Sequence, residues 1–155
     1  MSNDRRISLF CGLLAAGALS LAYLLPVYRT EGTSMQPTLK NGSILIFKRT
    51  KHPKRGDIAA FRHEGRVIVK RVAAVSGDTV DISPEGAVIV NGTIQIEPYV
   101  SCLYRGSCDA PLPMTIPENF FFMLGDERVS SIDSRSGRLG LIDRKSIIGT
   151  LFCTI

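Results

Sequence analysis

Apolar and polar positions divide this chain into two unequal parts. From Ile7 to Val27 it reads ISLFCGLLAAGALSLAYLLPV, 21 residues without a charge. At about 1.5 Å per helical residue, such a run crosses roughly 30 Å of hydrocarbon. A cleaved export leader has a shorter apolar region, about 7 to 15 residues, ending at small residues. Here Ala16-Gly17-Ala18 lies inside the run, and the run ends on the bulky Leu25-Pro26-Val27-Tyr28. The pattern predicts a retained transmembrane helix over 7–27, preceded by a short N-terminus, 1–6.

Beyond it, short apolar runs alternate with Gly, Pro, Asn and Asp, the pattern of an antiparallel β domain. Strands are predicted at Ser43 to Lys48, Asp57 to Phe61, Arg66 to Ala74, Thr79 to Ile82, Ala87 to Val90, Thr93 to Glu97, Phe120 to Leu124 and Ile147 to Thr154. Asn91-Gly92 suits a tight hairpin turn. No window after the anchor keeps a 3.6-residue period long enough for a long helix. The fold class expected is mainly β, an N-terminal transmembrane helix followed by one antiparallel β-sheet domain. With 155 residues there is little room for another independent domain.

Charge orients the span. Arg5 and Arg6 precede it, which favours a cytoplasmic N-terminus and an extracytoplasmic domain at the inner or plasma membrane. Net charge is +5, with Lys48, Arg49, Lys51, Lys54 and Arg55 crowded into one loop. That loop carries no interleaved aromatics for base stacking, which argues against a nucleic-acid partner. It reads as a solvated loop, with contact to an anionic lipid bilayer as the second choice. Cys102 and Cys108 bracket the short loop LYRGS and are either a small disulfide or two free thiols. No Cys/His spacing suggests zinc, and no metal or cofactor is expected.

A serine hydroxyl is a weak nucleophile unless a neighbouring base takes its proton. The two histidines, His52 and His63, fall in a basic loop and a hairpin turn. Lysine serves instead where burial favours its neutral form. In VIVKRVAAV the period-two alternation puts Lys70 on the face of Ile68 and Val72, while Arg71 turns to the other. The strand alone does not separate a buried base from an edge lysine reaching out to water.

Gly32-Thr33-Ser34-Met35-Gln36-Pro37-Thr38-Leu39 resembles the nucleophile box of bacterial type I signal peptidases and related Ser/Lys proteases. Three segments follow in the order of that family: Gly56-Asp57-Ile58 through Phe61, Lys70-Arg71-Val72 through Val80, and Gly125-Asp126-Glu127-Arg128 through Gly137. The tail Ile147-Ile148-Gly149 fits as well. The resemblance spans Gly32 nearly to the end and implies a catalytic domain of signal peptidase type over 32–155, with a short β insertion at about 79–118. It implies a membrane-bound serine endopeptidase that removes signal peptides from secreted preproteins.

By the same resemblance Ser34 is the acylating nucleophile and Lys70 the general base. Ser131 matches a serine that hydrogen-bonds and orients the lysine, and Asp133 and Arg135 match a supporting ion pair. Met35 is either core filler or an apolar contact to lipid and substrate, the resemblance favouring the second. The backbone N–H of Ser34 supplies one oxyanion donor. Gly32 stands where some members carry a second donor serine, and Glu127 where asparagine is usual. A carboxylate near Lys70 would favour the ammonium form, so Glu127 is expected to point outward.

Three other readings stay open. One is a dedicated processing peptidase for a pilin or conjugation protein. A second is a self-cleaving repressor-type protease, against which the anchor and the Gly125-to-Gly137 segment count. The third is a catalytically inactive membrane-anchored β module.

Overall fold

The computed structural model describes residue 7, residues 10–14, 17 and 23, and residues 25–155. Within the predicted span the described positions 7, 10–14, 17 and 23 are helical. The rest of that span up to residue 24, and the N-terminus 1–6, lie outside the described residues. Among the described residues no helix is long and apolar enough to cross a membrane.

In chain order the strands are β1 (Val27–Arg29), β2 (Ile44–Arg49), β3 (Ile58–His63), β4 (Arg66–Val75), β5 (Thr79–Ile82), β6 (Val88–Val90), β7 (Thr93–Ile94), β8 (Met114–Thr115), β9 (Phe120–Leu124), β10 (Ile142–Asp143) and β11 (Ile147–Thr154). Seven form one sheet in the order β1-β2-β11-β3-β4-β9-β10, and four form a smaller sheet, β7-β6-β5-β8. Every pairing is antiparallel, as the alternation predicts. β1 opens on Val27, the residue that closes the apolar run.

Each predicted strand has a counterpart within a residue or two, except that β7 stops at Ile94 instead of Glu97. Ile96 then stands 92% exposed, while the Glu97 side chain turns inward. Three short strands escape the sequence pattern: β1, β8 and β10, of two or three residues each. Runs that short carry no measurable period and exist because a longer partner holds them.

The large sheet buries side chains on both faces. On β9 the odd positions Phe121 and Met123 join Ala59, Phe61 and Val72, while Phe122 and Leu124 join Val80, Ile82 and Val88 of the small sheet. β4 is the pivot, because an irregularity in its register with β9 between Val72 and Ala74 sends Ala74 into the second cluster. A third cluster, containing Leu45, Phe47, Ile58 and Ala60, receives Met35 and Leu39 from the loop after β1. The mouth of β4 therefore faces a loop anchored in the core.

Candidate active site

Ser34 sits in a tight turn: Gln36 N–H donates to Thr33 O at 2.9 Å and Leu39 N–H to Met35 O at 2.8 Å. Met35 and Leu39 are 5% and 3% exposed, so the turn is pinned from below by its apolar residues. That burial removes Met35 from any lipid-facing surface, correcting the expectation of a membrane contact. It also lines the cleft beside Ser34, which keeps it available to a substrate. Gly32 adopts φ +94°, a left-handed conformation that suits glycine, and its N–H donates to Asn41 Oδ1 at 3.0 Å. A serine here would be strained, which gives a backbone reason for the departure noted in the sequence.

Lys70 alternates inward with Val72 and Ala74 and is 3% exposed. Its Nζ donates to Ser34 Oγ at 2.6 Å. Burial pushes its pKa down to about 8; Asp133 and Asp126 oppose that and Arg135 adds to it. The structure thus decides what the strand pattern left open: this lysine does not reach out to water. Neither His52 nor His63 hydrogen-bonds Ser34 among the described residues.

Asp133 and Arg135 form a buried bidentate pair, Nε to Oδ1 at 2.8 Å and Nη2 to Oδ2 at 2.9 Å. Asp133 Oδ2 also accepts from Gly125 N–H at 3.0 Å. Glu127 N–H donates to Ser34 O at 3.1 Å, tying the nucleophile turn to the loop after β9. The Glu127 carboxylate accepts from Val129 N–H at 3.3 Å in an exposed contact and is not among the charges acting on Lys70. Ser131 departs from expectation: its Oγ is buried and makes no hydrogen bond among the described residues. Among the described residues the side-chain hydrogen bond of Lys70 goes to Ser34 instead, and the Ser131 hydroxyl is left unpartnered.

Gly125 holds these pieces at close range. A Cβ built on it would collide with Ser131 Oγ, Ser131 Cβ and the Ser34 carbonyl. Gly125→Ala is accordingly expected to cost about 1–3 kcal/mol of stability and most of the activity, read as a lower midpoint in denaturant unfolding. A variant with wild-type stability and rate would show that the loops have room to part.

Further site residues had no individual assignment in the sequence reading. Arg71 clamps Asp126 with two bonds of 2.9 and 2.6 Å, and Thr38 Oγ1 donates to the same carboxylate at 2.5 Å. Arg128 clamps Glu97 at 3.0 and 2.6 Å. Asp126 and Arg128 lie in a box the sequence flagged, whereas Glu97 is brought in from 31 residues away and had no local signal. Cys102 and Cys108 are free thiols, their Sγ atoms turned to the carbonyls of Leu103 and Ala110, so the candidate disulfide is not formed.

A cleft of about 690 Å³ runs up to Ser34, lined by Tyr28, Gly32, Met35, Val67 and Val69 among others. β9 covers β4 only from Arg71 to Val75, leaving the stretch Arg66 to Lys70 with an unpaired edge among the described residues. A hydroxyl in contact with a desolvated lysine can lose its proton to it, and an open strand edge can pair with an extended chain.

Comparison with known proteins agrees. Residues 4–155 match the family described as signal peptidase, peptidase S26, and the chain belongs to that family of peptidases. It is 34% identical to signal peptidase I of Bacillus licheniformis over 96% of this chain and 89% of that one. It is 35% identical to signal peptidase I T of Bacillus subtilis, over 83% and 72%. A crystal structure of a signal peptidase I from Enterococcus faecalis V583 superposes with a TM-score of 0.53 at 28% identity, covering 64% of this chain and 97% of that one.

Proposed function

We propose that this peptidase removes signal peptides from exported preproteins, with Ser34 as nucleophile and Lys70 as general base. The observation that carries the reading is the 2.6 Å contact between the buried Lys70 Nζ and Ser34 Oγ at the end of the open cleft.

Neutral Lys70 takes the Ser34 proton as Oγ attacks the scissile carbonyl, and the ammonium so formed returns a proton to the leaving amine. The acyl-enzyme is then opened by a water that the neutral lysine activates. The Ser34 N–H has no acceptor among the described residues, which supports its role as an oxyanion donor. A substrate segment adds as a strand to the free edge of β4 and leads its scissile bond to Ser34.

The same reading takes residues 7–27 as a retained single-pass anchor at the inner or plasma membrane, with the catalytic domain outside. Support comes from Tyr23: its ring lies 4.5 Å below the Arg49 guanidinium, and its carbonyl accepts from Arg49 Nε. The end of the apolar run is thereby fastened to β2. The cleft, lined by Tyr28 and Thr30 just beyond, opens close to the bilayer, where a preprotein held by its own signal peptide would meet it.

The test is cleavage of a signal-peptide substrate by the full chain in lipid, followed across about pH 6 to 10. Protonated Lys70 cannot accept a proton. The rate is therefore expected to rise about tenfold per pH unit below a midpoint near 8 and to level off above it. Absence of cleavage, or a midpoint in the histidine range near 6.5, would overturn the assignment.

A further inference from the structure

Between β7 and β8 the chain runs from residue 95 to 113 without strand or helix. Structureless stretches of that length are uncommon in compact domains and are usually functional or disordered. This one is tied down at successive points, and three of its tethers end on arginines, Arg71 of β4 and Arg128 and Arg135 of the loop after β9.

Glu97 is the first tether. Its carboxylate takes both terminal nitrogens of Arg128, with side-chain exposures of 6% and 2%, and Arg128 Nε in turn donates to the Gly125 carbonyl at 3.0 Å. Tyr99 is the second. Its ring lies 3.7 Å under the guanidinium of Arg71, the residue following Lys70, and its hydroxyl donates to Glu97 Oε1 at 3.0 Å. The third is main chain: Arg135 Nη1 donates to the carbonyls of Tyr104 and Arg105 at 2.8 and 3.2 Å. Asp109 closes the far end, accepting Gly137 N–H at 3.0 Å while its own N–H donates to Arg135 O at 2.8 Å.

Each arginine is two-sided. Arg71 holds Asp126 and the Gly56 carbonyl, Arg128 holds Gly125, and Arg135 holds Asp133 and the Arg128 carbonyl. We propose that segment 95–109 is a strap that positions the catalytic loops through Arg71, Arg128 and Arg135, with Glu97 and Tyr99 as positioning residues for the Ser34/Lys70 reaction. Neither touches Ser34 or Lys70, so they act through the arginines and through the water they exclude.

The inference rests on the Ser34/Lys70 reading, and its test separates the two. Lys70 faces Ser34 from the loop after β1 and Asp126, Asp133 and Arg135 from the loop between β9 and β10, with uncharged Ala59 opposite it on β3. Losing the strap wets this ring of charges and weakens the desolvation that depresses Lys70, so its pKa moves up. The experiment compares Glu97→Gln, Tyr99→Leu and Tyr99→Phe in the full chain in lipid nanodiscs. Two readouts are taken: the pH profile of kcat/KM, and the NMR titration of side-chain-labelled lysine, with Lys70 assigned from Lys70→Arg.

For Glu97→Gln and Tyr99→Leu both midpoints are expected to rise by about one unit, with kcat at neutral pH about tenfold lower and KM within about twofold. Tyr99→Phe keeps the ring over Arg71 and should keep the wild-type midpoint. Activity that merely falls with the folded fraction, both midpoints unmoved, would overturn the strap. So would Tyr99→Phe behaving like Tyr99→Leu. If the Lys70 resonance shifts while the activity midpoint stays, the strap stands and the lysine-base reading fails.

Discussion

Ser34→Ala and Lys70→Ala are each expected to reduce cleavage of a signal-peptide substrate by at least about 10⁴-fold, with the double variant no slower than either single one. Groups that act as a unit lose nearly everything when one is removed, so their effects do not add. Lys70→Arg is the sharper form of the experiment. It keeps the cation, but a guanidinium does not give up its proton at any working pH, so the variant is expected to fold and to be inactive. Lys70→Met goes further by removing a charge from a site where burial has already lowered its pKa from 10.5 to about 8. At neutral pH the folded protein holds that ammonium against a shift worth on the order of 3 kcal/mol. The wild-type penalty fades as pH rises from about 8 toward 10.5, where the unfolded chain also loses the proton. Lys70→Met should therefore melt higher than wild type at pH 7 while being inactive, measured by calorimetry beside single-turnover cleavage. Cleavage within about tenfold of wild type in Lys70→Ala would sink the dyad.

That prediction rests on a residue only half legible in the sequence. Alternation along VIVKRVAAV put Lys70 on the face of Val72, which is where β4 buries it, yet one strand cannot say whether a helix, another sheet or water covers that face. The order of the motifs supplied Ser34 as its partner. Asp133 and Arg135 were legible for the same reason, being two residues apart in one box. Glu97 and Tyr99 were not, because their partners Arg128 and Arg71 are 31 and 28 positions distant and nothing periodic links them. The long loop around them reads simply as an insertion. Met35 and Ser131 show the opposite limit. Motif resemblance assigned each a role, but the depth of the nucleophile turn buries Met35 in the third cluster while leaving it on the wall of the cleft. Ser131 Oγ, crowded against Gly125 and left without a partner, reflects a packing arrangement that no spacing encodes.

Asp133→Ala is the substitution expected to cost most stability. Its carboxylate accepts from Arg135 Nε and Nη2, from Arg135 N–H and from Gly125 N–H, all buried, so truncation strands a guanidinium that is 4% exposed as a residue. Breaking a buried pair from one side costs about 3–5 kcal/mol, which for a chain of this size lowers the melting temperature by on the order of 10 °C. The double variant Asp133→Leu/Arg135→Met regains part of that, since no charge is left unpaired. It does not regain activity, because Arg135 also donates to the carbonyls of Tyr104, Arg105 and Arg128. The pH profile provides an independent sign. Asp133 raises the Lys70 pKa and Arg135 lowers it, so in Asp133→Ala the residual activity should titrate at lower pH than wild type, opposite to the strap variants. A stability loss under about 1 kcal/mol would mean that water enters to solvate Arg135, and an alkaline shift would mean that the loop has opened and Lys70 has become wet.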